Sequence, residues 1–324
     1  VVKIGLFFDL RNPEPWARPW PDVFARNLEL VERAEAGGLG SVWFTEHHLF
    51  DDGYLPQPLT FLAAVAARTR SITIGTAVLL AALRPAPLVA EEAALVDQIS
   101  GGRLQLGIGA GYSPREYELY GKDLSKRYGL TDAAVAEIRH LLDDGITTPP
   151  AAQRPFPIWL GYQGPQGAAR AGRLGVGLLS LDRRLLEPYR AGLLEGGHDP
   201  ASARTGGMLD IVVADDPEAT LVRILPHHLH QANTYAECAV AGTGVEPRVL
   251  TAEKAMSRST GPGQIPGLRV LTPDDAVTAI RDATDGSPAE HVYLWGSVAG
   301  MPGDVVDRHL ELLCTEVAPA FASS

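Results

Sequence analysis

The sequence predicts an α/β fold and, within that class, a (β/α)8 TIM barrel. Strand and helix signals alternate along nearly the whole chain, which points to a parallel sheet with helical crossovers. The strand candidates number eight, the count that closes a barrel. The first of them is followed by Asp9-Leu10-Arg11-Asn12-Pro13-Glu14-Pro15-Trp16, which cannot make the glycine-rich dinucleotide turn of an open doubly wound sheet. A chain of 324 residues, 45% of them hydrophobic, buries a large core without staples, and a barrel with insertions accounts for 1–324 as one domain.

The predicted strands are Lys3–Phe8, Ser41–Thr45, Ile72–Leu79, Leu104–Gly109, Ile158–Gly161, Gly175–Ser180, Met208–Val213 and His291–Trp295. Amphipathic spacing predicts helices over Asp22–Ala36, Leu59–Arg68, Leu88–Ile99, Thr131–Asp143, Gln166–Gly172, Leu185–Glu195, Glu218–His228 and Val305–Val317. Gly37-Gly38 ends the first helix, and Ser100-Gly101-Gly102 stops the third and turns the chain into a strand. Thr272-Pro273 supplies a threonine cap with proline at the first helical position, starting a helix before the last strand. Residues 239–271, rich in Gly, Pro, Ser and Thr, break the rhythm and read as a loop or lid insertion before that final helix-strand unit.

Composition narrows the function. A net charge of −11 with scattered basic residues argues against nucleic acid as a partner. Cys238 and Cys314 lie far apart and have no metal-ligand spacing, as expected of two reduced thiols. The first residues read directly as a strand, and no apolar run reaches spanning length, so the expectation is a cytoplasmic protein without membrane contact. His227, His228 and His230 invite a zinc reading but lack a convincing fourth ligand, so no metal is expected.

The run Ser41-Val42-Trp43-Phe44-Thr45-Glu46-His47-His48 carries the most chemistry. An apolar strand ends, and a carboxylate and two imidazoles follow where a barrel strand delivers side chains to a ligand. Adjacent histidines on extended backbone point to opposite sides, so His47 and His48 take different roles, one facing a cavity and the other packing. The bland alternative is a carboxylate bonded to a structural histidine.

With Trp43 to His48, the segments Ile74-Gly75-Thr76-Ala77-Val78, Asp97-Gln98-Ile99-Ser100-Gly101-Gly102-Arg103 and Leu106-Gly107-Ile108-Gly109-Ala110-Gly111-Tyr112 resemble the bacterial luciferase-like flavin-dependent monooxygenases in order and interval. Pro157-Ile158-Trp159-Leu160-Gly161 and the closing Leu-Leu-Cys-Thr-Glu-Val-Ala-Pro agree. The resemblance spans nearly the whole chain outside 239–271. It implies a barrel, usually a homodimer, that binds reduced flavin at the C-terminal mouth and reacts it with oxygen or passes hydride.

On that resemblance His47 is the catalytic histidine beside the flavin, suited to proton transfer near neutral pH, with Glu46 orienting a ring. Thr76, Ala77 and Val78 match the family's flavin-facing bulge, with a non-prolyl cis peptide expected at Ala77-Val78. Gly109, Ala110, Gly111 and Tyr112 would let a flat ring or phosphate tail approach the backbone. Where the family's luciferases carry an arginine for the flavin phosphate, this chain has Ala110. Arg127 is the candidate replacement, and Gln163, Gly164, Gln166 and Gly167 form a second candidate phosphate cradle at a helix start. Arg84-Pro85 departs from the family's His-Pro. Asp97 and Arg103 read as architectural, Asp9 and Asp51-Asp52 as loop caps or solvated charges, and Trp16 and Trp20 as walls of an apolar substrate pocket or covers of the rim.

The implied function is oxidation of a small organic substrate with molecular oxygen and reduced FMN. A separate flavin reductase would supply the FMN, since no second nucleotide domain is read in the chain. The alternatives are an F420-dependent hydride-transfer oxidoreductase, favoured by the missing arginine at 110, and a noncatalytic flavin-binding protein.

Overall fold

In the computed structural model, which describes residues 2–322, eight parallel strands close into a barrel. The strands of the chain are β1 (Lys3–Phe8), β2 (Ser41–Phe44), β3 (Thr73–Thr76), β4 (Leu104–Ile108), β5 (Ile158–Leu160), β6 (Gly177–Leu179), β7 (Thr205–Met208), β8 (Ile211–Val213), β9 (Gln264–Ile265), β10 (Leu268–Leu271) and β11 (Ala289–Trp295). Around the barrel the order is β1-β11-β7-β6-β5-β4-β3-β2, while β8, β10 and β9 form a separate three-stranded sheet. Because all barrel pairs are parallel, the loops after every strand open on one mouth.

The helices are α1 (Trp20–Ala36), α2 (Pro58–Arg68), α3 (Ala86–Ser100), α4 (Pro114–Leu119), α5 (Arg127–Asp143), α6 (Gly164–Arg173), α7 (Leu186–Glu195), α8 (Pro217–Val240), α9 (Ala252–Met256), α10 (Pro273–Thr284) and α11 (Gly303–Leu312), and all but the short α4 and α9 were expected from the sequence. Their ends obey the expected local chemistry. Gly101 caps α3 in the left-handed region, at φ +69°, and the Thr272 side chain accepts from the Asp275 N–H at the start of α10. The aspartate and arginine of the 97–103 motif are architectural. Buried Asp97 accepts from the Ala152 and Gln153 backbone and the Gln153 amide, and Arg103 donates to the Ala66, Thr69, Ile72 and Ser100 carbonyls.

Three expectations need correction. The seventh barrel strand is Thr205–Met208, and the run expected to complete it, Ile211–Val213, leaves the barrel to pair with β10. Gly206 and Gly207 hid the true strand. A Cβ on Gly206 would stand 3.1 Å from the His291 carbonyl of β11, so close strand approach selects residues that carry no apolar signal. The third strand stops at Thr76, because the peptide between Ala77 and Val78 is cis and the chain leaves the ladder there, touching Ile108 again at Leu79. The helix expected to end at His228 tolerates Pro226 in its interior and continues a further dozen residues beyond His228 to Val240. Residues 239–271 therefore contain the end of α8, all of α9, and β9 and β10.

Among the described residues no helix is long and apolar enough to cross a membrane.

One buried histidine ties the side sheet to the barrel. His309 of α11 accepts from the Val213 N–H at 2.8 Å through Nδ1 and donates to the Trp295 carbonyl at 2.7 Å through Nε2. Burial pulls this imidazole down to about 4. Its folded-state proton affinity is thus below the ordinary value of 6.5, and the stability it contributes is full above that value and lost as pH falls towards 4. Urea unfolding midpoints should decline over this window, with the His309 ring still neutral by NMR at pH 5.5. A ring titrating near 6.5 in the folded protein would contradict the assignment.

Candidate active site

Residues following β1, β2, β3, β4 and β5 meet at the mouth. After β2 the backbone carries Glu46, His47 and His48 inward, all nearly fully buried. The two imidazoles have different partners. His47 Nδ1 lies 2.8 Å from Glu116 Oε1, and the same oxygen accepts the His48 backbone N–H at 2.8 Å. His48 Nε2 lies 2.8 Å from Glu46 Oε1. A carboxylate only accepts, so each of these ring nitrogens carries the hydrogen, and the free nitrogen of His47 is Nε2. Both oxygens of Glu46 are engaged, since Oε2 accepts from the Leu80 N–H and Oε1 also from Arg84. The ring it orients is therefore that of His48, and Arg84 in the departing Arg-Pro sequence is its counter-ion.

Glu116 was not anticipated. It sits in α4, a helix missed beside the glycine run of β4 although Ser113-Pro114-Arg115-Glu116 spells a start, with serine at the cap, proline first and glutamate third. Here the glutamate turns to His47, and its second oxygen, Oε2, is buried without a partner.

Four rings surround the His47 imidazole: Tyr54 at 4.7 Å, Phe50 at 4.9 Å, Tyr112 at 5.3 Å and Tyr235 at 5.8 Å between centroids. Tyr235 belongs to α8, which crosses the mouth. Behind three of these rings lies Arg11, its guanidinium carbon 5.3 to 5.5 Å from the centroids of Phe50, Tyr54 and Tyr235. Arg11 Nε donates to Asp52 at 2.7 Å, its Nη2 donates to Thr234, and its backbone N–H donates to Asp9 at 3.2 Å. His230 Nε2 also meets Asp52, at 2.8 Å, and Gln231 donates to Asp9. Asp9 and Asp52 are thus buried members of an ion network, not solvated charges; only Asp51 is exposed. Burial raises the Asp9 carboxyl against the pull of Arg11, while Asp9 and Asp52 outweigh burial and hold Arg11 above its usual range.

Burial also raises the phenols of Tyr54, Tyr112 and Tyr235, so all three stay protonated at neutral pH. His227 faces the Ala299 carbonyl and His228 the Pro266 carbonyl, so the three histidines of α8 point to three separate partners. Trp16 stacks on His227 at 3.7 Å, and Trp20 lies exposed beside Phe24.

The floor of the mouth is built from small residues. Ala77 and Val78 are half-buried on either side of the cis peptide. A Cβ on Gly109 would stand 2.3 Å from Val78 Cγ2, and one on Gly161 2.7 Å from Val78 Cγ1, so two glycines let Val78 settle low and leave the floor flat. Thr76 is fully buried, its hydroxyl donating to the Gly107 carbonyl. Ala110 is buried and its carbonyl accepts from Tyr117, and Gly111 turns the chain at φ +67°.

Arg127 and the start of α6 form a second group on the rim. The Arg127 guanidinium lies 4.5 Å from the Tyr128 ring, Tyr128 meets Tyr162 edge-on at 5.5 Å, and Gln163 and Gly164 follow directly. Gly164 has φ +73° with open space where a Cβ would stand, Gln163 and Gln166 are exposed, and Gly167 is buried against Tyr162. Two features fit a flat ring carrying a phosphate tail: the glycine-backed backbone around Val78, and the open start of α6.

Known proteins resemble this chain in sequence and in fold. A family model described as luciferase-like monooxygenase matches residues 2–280. The 4-hydroxyprotoasukamycin monooxygenase of Streptomyces nodosus subsp. asukaensis is 27% identical over 100% of this chain and 93% of its own length. An F420-dependent glucose-6-phosphate dehydrogenase of Amycolatopsis mediterranei is 30% identical over 57% of this chain and 61% of its own. The crystal structure of monooxygenase RslO1 from Streptomyces bottropensis superposes with a TM-score of 0.81 at 23% identity, covering 99% of this chain and 100% of that one, which is a likeness of fold.

Replacing Arg11 by Met should cost about 3–5 kcal/mol in urea unfolding at pH 7, because Asp9 and Asp52 would be left buried without their cation. A loss below about 1 kcal/mol would show that the network is solvated.

Proposed function

The chain belongs to the luciferase-like monooxygenase family of oxidoreductases, and from that premise we propose that it oxidises a small organic substrate with molecular oxygen and reduced FMN. The observation that carries the reading is the buried imidazole of His47 after β2, held by Glu116 among four aromatic rings with Nε2 left free. Reduced FMN, when bound, supplies the two electrons that activate oxygen. Ala77, Val78, Gly109, Ala110 and Gly111 would bear its ring. Arg127 and the backbone amides of Gln166 and Gly167 at the start of α6 would hold its phosphate in place of the arginine absent at 110.

His47 is the residue that moves a proton. With Nδ1–H donating to Glu116, Nε2 can take a proton from the substrate side or return one, and the carboxylate steadies the ring in either state. Glu46 acts at a distance, by fixing His48 and the loop. The Phe50, Tyr54, Tyr112 and Tyr235 rings exclude water from that proton.

Further parts of the proposal are a homodimer, supported by the exposed Leu88, Leu95 and Ile99 on α3, a separate reductase as the source of reduced FMN, and a cytoplasmic setting. The second reading, hydride transfer with F420, rests on Ala110 and on the resemblance to the dehydrogenase.

Anaerobic titration separates the two. Reduced FMN should bind more tightly than reduced F420, and the Arg127→Ala variant should lose about tenfold in FMN affinity but little for riboflavin; a preference for F420 would reverse the assignment. His47→Ala should cut oxygen-dependent product formation by about 100-fold or more while FMN affinity stays within about threefold. Unchanged turnover would remove His47 from its role.

A further inference from the structure

Beyond the rings around His47 lies a cavity of about 510 Å³, within the size range of small-molecule sites. It opens between the loop after β2 and the second half of α8. Of the four rings that surround the His47 imidazole, Phe50 alone also lines this cavity, and its centroid lies 4.9 Å from that of His47. A single side chain, free of polar atoms, therefore stands between the cavity and the histidine.

The backbone that carries this side chain is fixed on both sides. The His47 N–H donates to the Leu55 carbonyl at 3.2 Å, the Asn12 N–H donates to the Asp52 carbonyl at 3.0 Å, and the Gly53 N–H closes a turn on the Phe50 carbonyl at 3.0 Å. Leu49 takes the left-handed region at φ +61° and turns its own side chain out to solvent, 46% exposed. A residue with a Cβ holds that conformation only where its surroundings impose it. The Phe50 ring is under no such constraint. It is half-buried, meets Tyr54 at 5.1 Å and Tyr235 at 6.1 Å, and makes no hydrogen bond. With the cavity on one side, it can turn into another staggered rotamer without breaking a polar contact or moving the loop.

Charge narrows the kind of molecule the cavity takes. The exposed carboxylates Glu14, Asp51 and Glu237 line it against one exposed guanidinium, Arg115. An anion would enter against that field, whereas a neutral molecule meets no such barrier and finds apolar surface on Leu49 and Phe50.

We propose that this cavity receives an uncharged organic substrate and that Phe50 is the specificity-determining residue between it and His47, its ring turning aside to admit the molecule. The inference rests on the enzymatic reading above, which makes His47 the destination. Because the loop is held and the ring is not, the size of the residue at position 50 sets what reaches the imidazole.

The test uses the flavin-free protein with histidine carrying carbon-13 at ring Cε1, titrated with the neutral nitroxide 4-hydroxy-TEMPO. Paramagnetic broadening of the His47 signal is read relative to that of exposed His140, with both signals assigned by single substitutions. Phe50→Ala should raise the His47 broadening about fivefold or more over wild type, and Phe50→Leu about twofold, because each leaves space where the ring stood. Adding Ala241→Trp, which occupies the cavity from the end of α8, should return the Phe50→Ala broadening to the wild-type value. The anionic 4-carboxy-TEMPO should give less than about a third of the effect of the neutral probe on Phe50→Ala. Circular dichroism and an unshifted signal from buried His309 report that each variant is folded, and Phe50→Leu carries the comparison where Phe50→Ala is not. Unchanged His47 broadening in the folded Phe50 variants, broadening that survives Ala241→Trp, or equal effects of the two probes would overturn the proposal. Reduced-FMN affinity of the wild type tells the failures apart. A wild type that binds reduced FMN while the Phe50 variants change nothing removes the role of Phe50 alone, whereas one that does not bind it removes the cofactor reading.

Discussion

A single carboxylate oxygen organises the mouth of this barrel. Glu116 Oε1 accepts at once from the His47 ring and from the His48 backbone, and so joins the loop after β2 to the loop after β4 across the intervening strand β3. Each bond is charge-assisted and lies where no water competes, and hydrogen bonds of that kind contribute about 1.5–3 kcal/mol. The closed parallel ladder makes the contact available, because it sets the C-terminal ends of neighbouring strands side by side. The same bond decides which nitrogen of His47 is free.

A second layer of charge holds the roof. Arg11 is buried after β1, yet its partners are Asp52 from the loop after β2 and Thr234 from α8, so three separate segments converge on one guanidinium. Its position behind Phe50, Tyr54 and Tyr235 places a cation next to the rings that enclose His47. Removing any one partner leaves the others buried and uncompensated, which makes the network a means of holding α8 in register over the mouth more than a source of net stability. The orientation of the His47 ring and the aromatic enclosure around it are thus supplied by different elements, both anchored to the same loop.

Much of this was legible in the sequence, and the limits have physical causes. Alternating periodicity marked most barrel strands because their residues are apolar and flanked by turn signals. The strand at Thr205–Met208 was hidden because the close approach of neighbouring strands there calls for glycine. The ordered set of motifs from Trp43 to Tyr112 pointed to the family and to His47. Glu116 was missed although Ser-Pro-Arg-Glu announces a helix start, because a helix of six residues is too short for periodicity. Asp9 caps its loop as expected, by accepting the Arg11 backbone N–H, but Asp52 was misjudged for a different reason: a carboxylate in a loop looks solvated until a cation distant in sequence is known to reach it, and the contacts that bury Asp52 span 41 and 178 residues of chain.

The central claim is that His47, the Ala77-Val78 floor and the rim at Arg127 surround one flavin. A crystal structure of the protein with FMN, reduced in the crystal, tests it most directly. The account predicts the tricyclic ring on the Ala77-Val78 peptide, with the His47 imidazole beside it, still bonded to Glu116, and the phosphate at Arg127 and the start of α6. A ring bound elsewhere, or one lying at this mouth with His47 turned away from it, would contradict the account.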